Sequence, residues 1–207
     1  MKITYMISEK NVQRLILYRK ILIGLQQEGL QGIHSHTLGK YADSSPAQVR
    51  RDLMAIGYSG TPVHGYKVHE LVSSISEFLN NPLPQKTCII GLGNLGRAIL
   101  DYCHQRNDNI PIMYAFEKDK AKVGKVIHGC KCISVADLED VIEKEGIELA
   151  IITIPAMDAQ FIAERLVNSG IRGILNYSPV ELRLPDSIYV ENRDMLLALE
   201  KVAYFSR

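Results

Sequence analysis

The sequence predicts an α/β protein in which a small helical domain precedes a larger domain built on a doubly wound parallel sheet. Up to residue 80, apolar side chains recur with the period of amphipathic helices. From residue 87 onward, short apolar runs alternate with helical segments, as in a parallel sheet with helices on both faces. The stretch NPLPQK (81–86) separates the two patterns and reads as a linker. We therefore predict a first domain at 1–80, a second domain at 87–192 and a terminal segment at 193–207.

Charge is distributed unevenly between the two predicted domains. Residues 1–86 contain ten lysines and arginines against six acidic residues, whereas residues 87–207 contain fourteen against seventeen. A basic first domain favours contact with a polyanion such as nucleic acid. No apolar run is long enough to span a membrane, the N-terminus lacks a secretory signal, and four cysteines are too few for a disulfide framework. We expect a soluble, cytoplasmic protein with no membrane partner.

Two helices are predicted at the start of the first domain. Between residues 8 and 28, apolar side chains recur close to the 3.6-residue period, and Gly29 ends the helix. The apolar positions are Val12, Leu15, Ile16, Tyr18, Leu22, Ile23 and Leu25. Ser35 can cap a short second helix that continues to Tyr41 and packs Leu38 and Tyr41.

A third helix is predicted within residues 43–57. Ser45 is suited to the N-cap, Pro46 to the first helical position and Gln48 to the third, which together form a capping box. Gly57 ends this helix. Two short helices joined by a tight turn predict a helix-turn-helix.

A hairpin at 58–68 and a further helix at 68–80 complete a winged helix. On the third helix, Gln48 and Arg51 lie on the face opposite the apolar positions, and Arg50 lies at its flank. Glutamine and arginine bind adenine and guanine edges or phosphates. A solvated helix face explains these residues better when the helix is considered alone, but the predicted wing favours DNA contact.

A dinucleotide-binding motif opens the second domain. The glycine stretch GLGNLG (91–96) directly follows a predicted strand at 87–90 and begins a helix near Asn94. Its three glycines allow the tight turn, the approach of pyrophosphate to the backbone, and close packing of helix on strand. Glu117 ends the second predicted strand, 21 positions after Gly96. A carboxylate there can accept bonds from the adenosine ribose and disfavours a 2′-phosphate, so we predict NAD(H) in preference to NADP(H).

Strands and helices alternate through the remainder of the second domain. We predict strands at 110–116, near Cys132, at 149–154, 173–175 and 188–190, and helices at 135–144 and 156–167. No internal repeat interrupts this alternation, so a single Rossmann sheet is expected.

The second domain lacks a convincing proton-transfer group. His104 and His128 have no Asp, Ser or Arg partner at a telling distance in the sequence, and the Tyr114-x-x-x-Lys118 spacing spans a strand end instead of one helix face. Cys130-x-Cys132 has no second pair of metal ligands. We predict no catalytic residue and no metal, so the nucleotide is a signal. The alternatives are an NAD-dependent oxidoreductase with an accessory DNA-binding domain, and a protein–protein adaptor.

Several stretches together resemble the Rex family of bacterial redox-sensing transcriptional repressors. They are SPAQVRRDL (45–53), GLGNLGRAI (91–99), IPAMDAQFIAERLVNSGIRGILNYSPVEL (154–182) and VENRDM (190–195). The resemblance covers residues 10–205 in the family's order. It implies a homodimer that binds pseudo-palindromic operator DNA when NAD+ prevails and releases the DNA when NADH binds. It also implies that a C-terminal helix at 193–205 is swapped onto the partner subunit.

The resemblance also implies site residues. The cofactor-binding residues would be Gly91, Leu92, Gly93, Asn94, Leu95 and Gly96 at the pyrophosphate, Glu117 at the ribose, and Ile154, Pro155, Ala156, Asn176, Tyr177 and Pro179 at the nicotinamide. The DNA-binding residues would be Ser45, Gln48, Arg50, Arg51, His64 and Lys67. The switch and dimer residues would be Lys20, Tyr102, Asp194 and Met195, with an apolar face of Met195, Leu196, Leu199 and Val202 on the swapped helix.

The chain departs from the family's usual pattern in the wing and in the switch. Pro62 and Val63 stand where the family has arginine and glycine, which removes a side chain suited to the minor groove. Operator affinity or sequence preference should therefore differ, with His64 and Lys67 as replacements. Met195 stands where an aromatic residue is usual. Lys20 stands in place of an arginine that pairs with Asp194 across the dimer, and lysine gives a weaker, non-bidentate pair.

Overall fold

The structure is a computed structural model that describes residues 7–61, 65–104 and 109–207. It divides the chain into two compact units, Met1–Pro82 and Leu83–Arg207. This division falls within the stretch 81–86. Pro62, Val63 and His64 lie outside the described residues. None of the helices in the described ranges is long and apolar enough to cross a membrane.

The first unit is a winged helix. Its helices are α1 (Glu9–Gln27), α2 (Ser35–Tyr41), α3 (Pro46–Ala55) and α4 (Val68–Leu79), and its strands are β1 (Gly32–Ile33) and β2 (Tyr66–Lys67). The two strands pair antiparallel, with Ile33 opposite Tyr66. An antiparallel bridge joins Thr61 to Gly65 in the region of the predicted hairpin. Strand β1 was not predicted, because a strand of two residues is too short to show an alternating pattern.

The core of the first unit differs from the predicted one at three apolar positions. Leu15, Tyr18, Leu22 and Leu25 of α1 are buried and pack with α3 and α4, whereas Ile16 and Ile23 are exposed by 47% and 41%. The buried positions are three or four residues apart and form one stripe, and Ile16 and Ile23 each lie one residue beyond it. Tyr41, also predicted to pack, is 59% exposed at the end of α2.

The capping prediction for α2 was wrong. Ser35 is the first helical residue of α2, and His34 holds the N-cap position without a side-chain cap bond. For α3, the predicted N-cap and the predicted terminating glycine were correct. Ser45 is the N-cap, Pro46 follows it, and Gly57 lies just beyond the helix with a left-handed φ of 79°.

The second unit is built on a seven-stranded sheet. Its strands are β3 (Thr87–Ile90), β4 (Ile112–Glu117), β5 (Val126–Ile127), β6 (Cys130–Ser134), β7 (Leu149–Ile152), β8 (Gly173–Asn176) and β9 (Tyr189–Asn192). Its helices are α5 (Asn94–Cys103), α6 (Leu138–Glu145, after a short 3-10 turn at Val135–Asp137), α7 (Ala156–Asn168) and α8 (Met195–Phe205). The strand order is β5-β6-β4-β3-β7-β8-β9, and only β5 pairs antiparallel. The remaining six strands have the Rossmann order 3-2-1-4-5-6.

Strand β3 shows why this sheet is doubly wound. All four of its residues are buried, and alternate side chains enter different clusters. Cys88 and Ile90 pack with α6 and α7, whereas Ile89 packs with Leu100 of α5. Because both faces are covered, the strand reads as a continuous apolar run instead of an alternating one.

Several boundaries differ from those predicted. β7 ends at Ile152, so residues 153 and 154 belong to the following turn, and β4 begins at Ile112 and not at residue 110. Helix α8 begins at Met195 and not at residue 193, because the Asp194 carboxylate caps it by accepting from the backbone N–H groups of Leu196 and Leu197. The antiparallel strand β5, at the sheet edge, was not predicted.

Candidate dinucleotide and nucleic-acid sites

The glycine loop lies between β3 and α5, where the strand order reverses. Gly91 has a φ of 89°, and a Cβ atom there would lie 2.7 Å from Ile154 Cγ2. A Cβ atom at Gly96 would collide with the carbonyl oxygen of Gly91. Gly93, the N-cap of α5, is different because a Cβ atom there would meet nothing within 4 Å. The loop therefore leaves open space at the helix N-terminus, where free backbone N–H groups bind an anion.

Thr153, which sequence analysis did not single out, holds the beginning of this loop. Its hydroxyl lies 2.9 Å from the carbonyl oxygen of Ile90 and 2.8 Å from that of Gly91. The contact joins the ends of β3 and β7, which are neighbours in the sheet. No local pattern marks a threonine for this role, because its partners are more than sixty residues away in sequence.

Glu117 joins the end of β4 to the glycine loop. Its Oε2 accepts from the backbone N–H of Leu92 at 3.0 Å, and its Oε1 accepts from the N–H groups of Lys118 and Asp119. Burial alone would raise the pKa of this carboxyl. The hydrogen bonds from Asp119, Leu92 and Lys122 outweigh burial, so the pKa is lowered and the carboxylate stays ionised.

A cavity of about 400 Å³ brings part of the predicted site together. Of the predicted residues, Gly91, Gly93, Glu117, Ile154 and Pro155 line it. The residues that sequence analysis missed are Lys118, Lys122, Val135, Thr153, Asp158, Phe161, Ile162 and Arg165, with Ile90 and Phe116 at the strand ends. Asn94 and Leu95 begin α5 and Ala156 begins α7, next to this lining.

Helix α7 contributes an aromatic and a cationic side chain to the cavity. The Arg165 guanidinium lies 5.8 Å from the centroid of the Phe161 ring and donates to Glu139 Oε2 at 2.7 Å. Phe161 is 64% exposed. A partly exposed ring beside a guanidinium is a surface on which a purine base can stack. These residues are four apart, so the sequence shows them only as one side of an amphipathic helix.

Asn176, Tyr177 and Pro179 do not line this cavity. Asn176 ends β8 opposite Ile152 of β7, so it lies at the same edge of the sheet. Its side chain is buried and donates to Val180 O at 2.7 Å and to Asn192 Oδ1 at 2.8 Å, while its Oδ1 accepts from Ser178. The amide thus fixes the loop after β8, and this loop is what presents Tyr177 and Pro179.

His104 and His128, judged isolated from the sequence, lie close together. Their ring centroids are 6.2 Å apart, and His128 Nδ1 is 3.2 Å from Asp101 Oδ1. The prediction that His128 has no acidic partner was therefore wrong, because chain folding joins the end of α5 to the start of β6. These groups lie by the amino end of β6, whereas Glu117 lies at the carboxyl end of β4.

The DNA-facing prediction for α3 requires one correction. Ser45 Oγ accepts from the backbone N–H of Gln48 at 3.1 Å, which is one half of the predicted capping box. The Gln48 side chain does not return to Ser45. Its Nε2 donates to Asp52 Oδ1 at 2.7 Å, and its Oε1 accepts from Arg51 at 3.0 Å. Gln48 is therefore half-buried, and Arg51 is the more exposed of the two.

Three cations are exposed around α3 and β2. Arg50 donates to Ser35 Oγ at 3.0 Å, and both residues line a cavity of about 320 Å³ with Thr61 and Gly65. Lys67 on β2 is 69% exposed, with its Nζ 2.8 Å from Glu70. With Arg51, these side chains form an exposed basic surface that suits phosphate contact.

A buried carboxylate that sequence analysis missed joins α1 to α3. Asp52 has no exposed surface. It accepts from Arg14 Nε at 2.6 Å and Nη2 at 2.8 Å, from Tyr18 Oη at 3.0 Å and from Gln48 Nε2 at 2.7 Å. Helical periodicity places Asp52 on the same face as Val49 and Leu53, but sequence analysis did not expect an acidic side chain to be buried there. We call these four residues the Asp52 cluster.

The predicted switch residues lie at exposed positions. Lys20 is on α1, Tyr102 is 64% exposed on α5, and Asp194 and Met195 stand at the beginning of α8. Helix α8 buries none of its side chains, and Met195, Leu196, Leu199 and Val202 are each at least 62% exposed. An apolar surface of this kind marks an interaction site.

A winged helix followed by a Rossmann sheet with an open glycine loop defines the class of two-domain, nucleotide-binding transcription factors. The family model described as "CoA binding domain" matches residues 83–180, and the model described as "Putative DNA-binding protein N-terminus" matches residues 6–53. The redox-sensing transcriptional repressor Rex of Syntrophobacter fumaroxidans is 39% identical over 192 residues, which are 92% of this chain and 91% of that protein. The chain belongs to the Rex family of redox-sensing transcriptional repressors.

Solved structures are similar over both units. The crystal structure of RSP in complex with β-NAD+ and operator DNA has a TM-score of 0.89 at 31% identity and covers 96% of this chain and 92% of that one. The crystal structure of RSP in complex with β-NADH has a TM-score of 0.86 at 30% identity and covers 98% and 95%. The similarity includes the winged helix and the Rossmann sheet together.

Proposed function

We propose that this protein is a redox-sensing transcriptional repressor that binds operator DNA as a homodimer and is released when NADH binds as the NADH/NAD+ ratio rises. One chain holds both an exposed basic surface on a winged helix and a Rossmann crevice open at Gly93, and this observation carries the proposal. Residues 1–80 would bind DNA, 87–192 would bind NAD(H), and 193–207 would bind the partner subunit. The complexes of RSP with β-NADH and with β-NAD+ and operator DNA support this reading.

In the proposed nucleotide complex, the backbone between Gly93 and Gly96 binds the pyrophosphate and Glu117 accepts from the adenosine ribose. The ring of Phe161 with Arg165 offers a surface for the adenine. The nicotinamide would extend along the carboxyl edge of the sheet, past Ile154, Pro155 and Ala156 to the loop at 176–179. The nucleotide supplies a redox-dependent shape and charge, because NAD+ and NADH differ only in the nicotinamide ring.

We propose that the nucleotide is bound and not turned over. Each titratable side chain that lines the cavity has an ionic partner: Lys118 pairs with Asp158 and Lys122 with Glu117 within the lining, and Arg165 pairs with Glu139 outside it. Hydride transfer to a carbonyl needs a proton donor placed at the substrate. Steady oxidation of NADH with a panel of carbonyl compounds would instead favour the oxidoreductase.

The exposed face of α8 supports the proposed dimer. A helix of eleven mostly apolar residues that buries none of them is stabilised by packing against another surface. We assign that surface to a second copy of the chain. A two-fold dimer places two winged helices on DNA and predicts a pseudo-palindromic operator.

Selection of DNA sites from a random pool, with NAD+ or with NADH present, tests the proposed function directly. We expect pseudo-palindromic sites to be enriched with NAD+ and lost with NADH. Binding that is unaffected by the nucleotide would contradict the redox function. Failure to bind a palindromic duplex in a salt-dependent way would favour the protein–protein adaptor, because contacts to DNA phosphates release counterions.

Arg51→Ala is expected to weaken binding to the selected operator by 10- to 100-fold, about 1.4 to 2.7 kcal/mol, as for the loss of a base-edge or phosphate contact. Binding of NADH should not change, because Arg51 lies in the other unit. Fluorescence anisotropy with labelled operator at several salt concentrations measures both affinity and salt slope. Arg172→Ala, an exposed arginine of the second unit, is the matched control, and equal losses in the two variants would contradict the assignment.

Lys20→Ala is expected to uncouple DNA release from NADH. We propose that Lys20 pairs with Asp194 of the partner subunit in either the DNA-bound or the released state, and that this pair links NADH binding to DNA release. A ~100-fold shift in DNA affinity requires roughly 2.7 kcal/mol of coupling free energy between the NADH site and the DNA site. In the variant, NADH should change DNA affinity by less than about tenfold while its own binding persists. Lys10→Ala, on the same helix, should regulate normally. Intact regulation in Lys20→Ala would refute the role of Lys20.

A further inference from the structure

A lysine occupies the ribose end of the cavity. Lys122 Nζ lies 3.1 Å from Glu117 Oε2 and 3.1 Å from the carbonyl oxygen of Leu92. It also lies 3.7 Å from Asp119 Oδ2, and its side chain is 31% exposed. Its ammonium group therefore bridges the end of β4 and the glycine loop, at the position where a Rossmann carboxylate meets the adenosine ribose.

The bonds to Glu117 leave no acceptor position free for a ribose. Oε2 accepts from Leu92 N–H and from Lys122, and Oε1 accepts from the N–H groups of Lys118 and Asp119. An ionised carboxylate has about four lone-pair sites, so these four donors saturate it. Three of the donors are fixed backbone groups. Only Lys122, on a flexible side chain, can withdraw without unfolding the loop.

We propose that Lys122 is a specificity-determining residue of the nucleotide site. It reduces the preference of this site for NAD(H), which has a 2′-hydroxyl on the adenosine ribose, over NADP(H), which has a 2′-phosphate there. A ribose hydroxyl must displace Lys122 from Glu117 before it can donate to the carboxylate, which weakens the binding of NAD(H). A 2′-phosphate is repelled by Glu117, and the adjacent ammonium group of Lys122 offsets that repulsion. The inference rests on the proposed binding of NAD(H).

A second cation reinforces this charge balance. The Lys118 side chain is 76% exposed, and its Nζ lies 3.5 Å from Asp158 Oδ2 at the same cavity. Exposed pairs at this distance are weak and exchange readily. Lys118 can therefore turn toward a phosphate but does not occupy Glu117 with its side chain. Of these two lysine side chains, that of Lys122 contacts both the carboxylate and the glycine loop, so we assign the selectivity to Lys122.

Lys122→Met in the full-length protein tests the inference. We expect NADH to bind more tightly and NADPH more weakly, so that the ratio of the NADPH Kd to the NADH Kd rises at least tenfold, as measured by nucleotide fluorescence titration. Lys122→Arg, which keeps the charge, should retain the wild-type ratio. Lys125→Met removes a lysine three residues away that is exposed, and it should leave the ratio unchanged.

The ratio separates specificity from a merely structural role. If Lys122 only tethers the loop through Leu92, both nucleotides should weaken equally in Lys122→Met, and an unchanged ratio overturns the inference. If Lys122→Met does not fold, Lys122→Gln keeps a donor for Leu92 and should still raise the ratio. Failure of the wild-type protein to bind NADH would overturn the proposed function instead.

Discussion

Asp52→Ala is expected to lower the free energy of unfolding of the first unit by about 3 kcal/mol. The variant leaves the guanidinium of Arg14, the hydroxyl of Tyr18 and the amide of Gln48 without the carboxylate that accepts from all three. Removal of one partner from a buried ion pair costs about 3–5 kcal/mol, and we take the low end because Arg14 is 23% exposed. This is a large fraction of the 5–15 kcal/mol that is typical of a whole domain.

The effect of Asp52→Ala should depend on pH. Burial alone would raise the pKa of Asp52, but the hydrogen bonds from Arg14, Gln48 and Tyr18 outweigh it and lower the pKa. A carboxyl whose pKa is lower in the folded state stabilises the protein above its unfolded pKa of about 3.9 and loses this contribution as the pH falls through the folded pKa. The difference between wild type and variant should therefore be full near neutral pH and shrink below about pH 4.

Urea unfolding monitored by circular dichroism, with hydrogen exchange of α1 and α3 amides, measures this loss in the full-length protein. Hydrogen exchange assigns the change to the first unit, because the two units need not unfold together. Glu77→Ala removes an exposed carboxylate of α4 and serves as the control. If Asp52→Ala lowers the free energy of unfolding by less than about 1 kcal/mol, as an ordinary surface substitution does, the proposed contribution of the Asp52 cluster to stability is contradicted.

Gly93→Val is expected to weaken the binding of NAD+ and of NADH at least 100-fold while leaving the fold intact. The loss follows because the new side chain fills the open space at the N-terminus of α5 that a pyrophosphate requires. The fold should survive because nothing lies within 4 Å of the added Cβ and the φ of −69° is ordinary for any residue. A 100-fold loss corresponds to roughly 2.7 kcal/mol of binding free energy.

Fluorescence titration with NADH and thermal unfolding separate the two expectations. Gly24→Ala is the matched control, because a Cβ atom at this glycine of α1 also meets nothing within 4 Å. It should bind NADH normally and be at least as stable as the wild type, since alanine favours a helix. Normal NADH affinity in Gly93→Val would show that the pyrophosphate does not bind at this loop.

Sequence reasoning found the elements whose signal is local. The glycine loop was predictable because Gly91 to Gly96 directly follow a buried strand, and Glu117 was predictable because it stands at a fixed distance from them. Lys122 and Thr153 were not, because their roles depend on which strand ends become neighbours in the sheet.

The Asp52 cluster was missed for a related reason. Asp52 meets Arg14 from 38 residues away, and an acidic residue on a helix is ordinarily solvated. The side chain of Gln48 was misplaced for the same reason, since its direction is decided by the buried carboxylate. Helix periodicity places Asp52 on the apolar face of α3, but it does not show that Arg14 and Tyr18 of α1 satisfy the carboxylate there. Contacts between side chains that are distant in the sequence are therefore what local sequence patterns did not predict.

If the exposed apolar side chains of α8 pack against a second copy of the chain, as proposed, the protein concentration in the cell affects the response to NADH. If α8 folds only when it packs against a second copy, folding of the C-terminal helix and dimerisation are one equilibrium that depends on protein concentration. At low protein concentration, the segment that carries Asp194 and Met195 would then be unfolded. Such a chain would respond poorly to the nucleotide even with an intact Rossmann sheet. The expression level would thus set a minimum protein concentration below which DNA binding no longer responds to the NADH/NAD+ ratio.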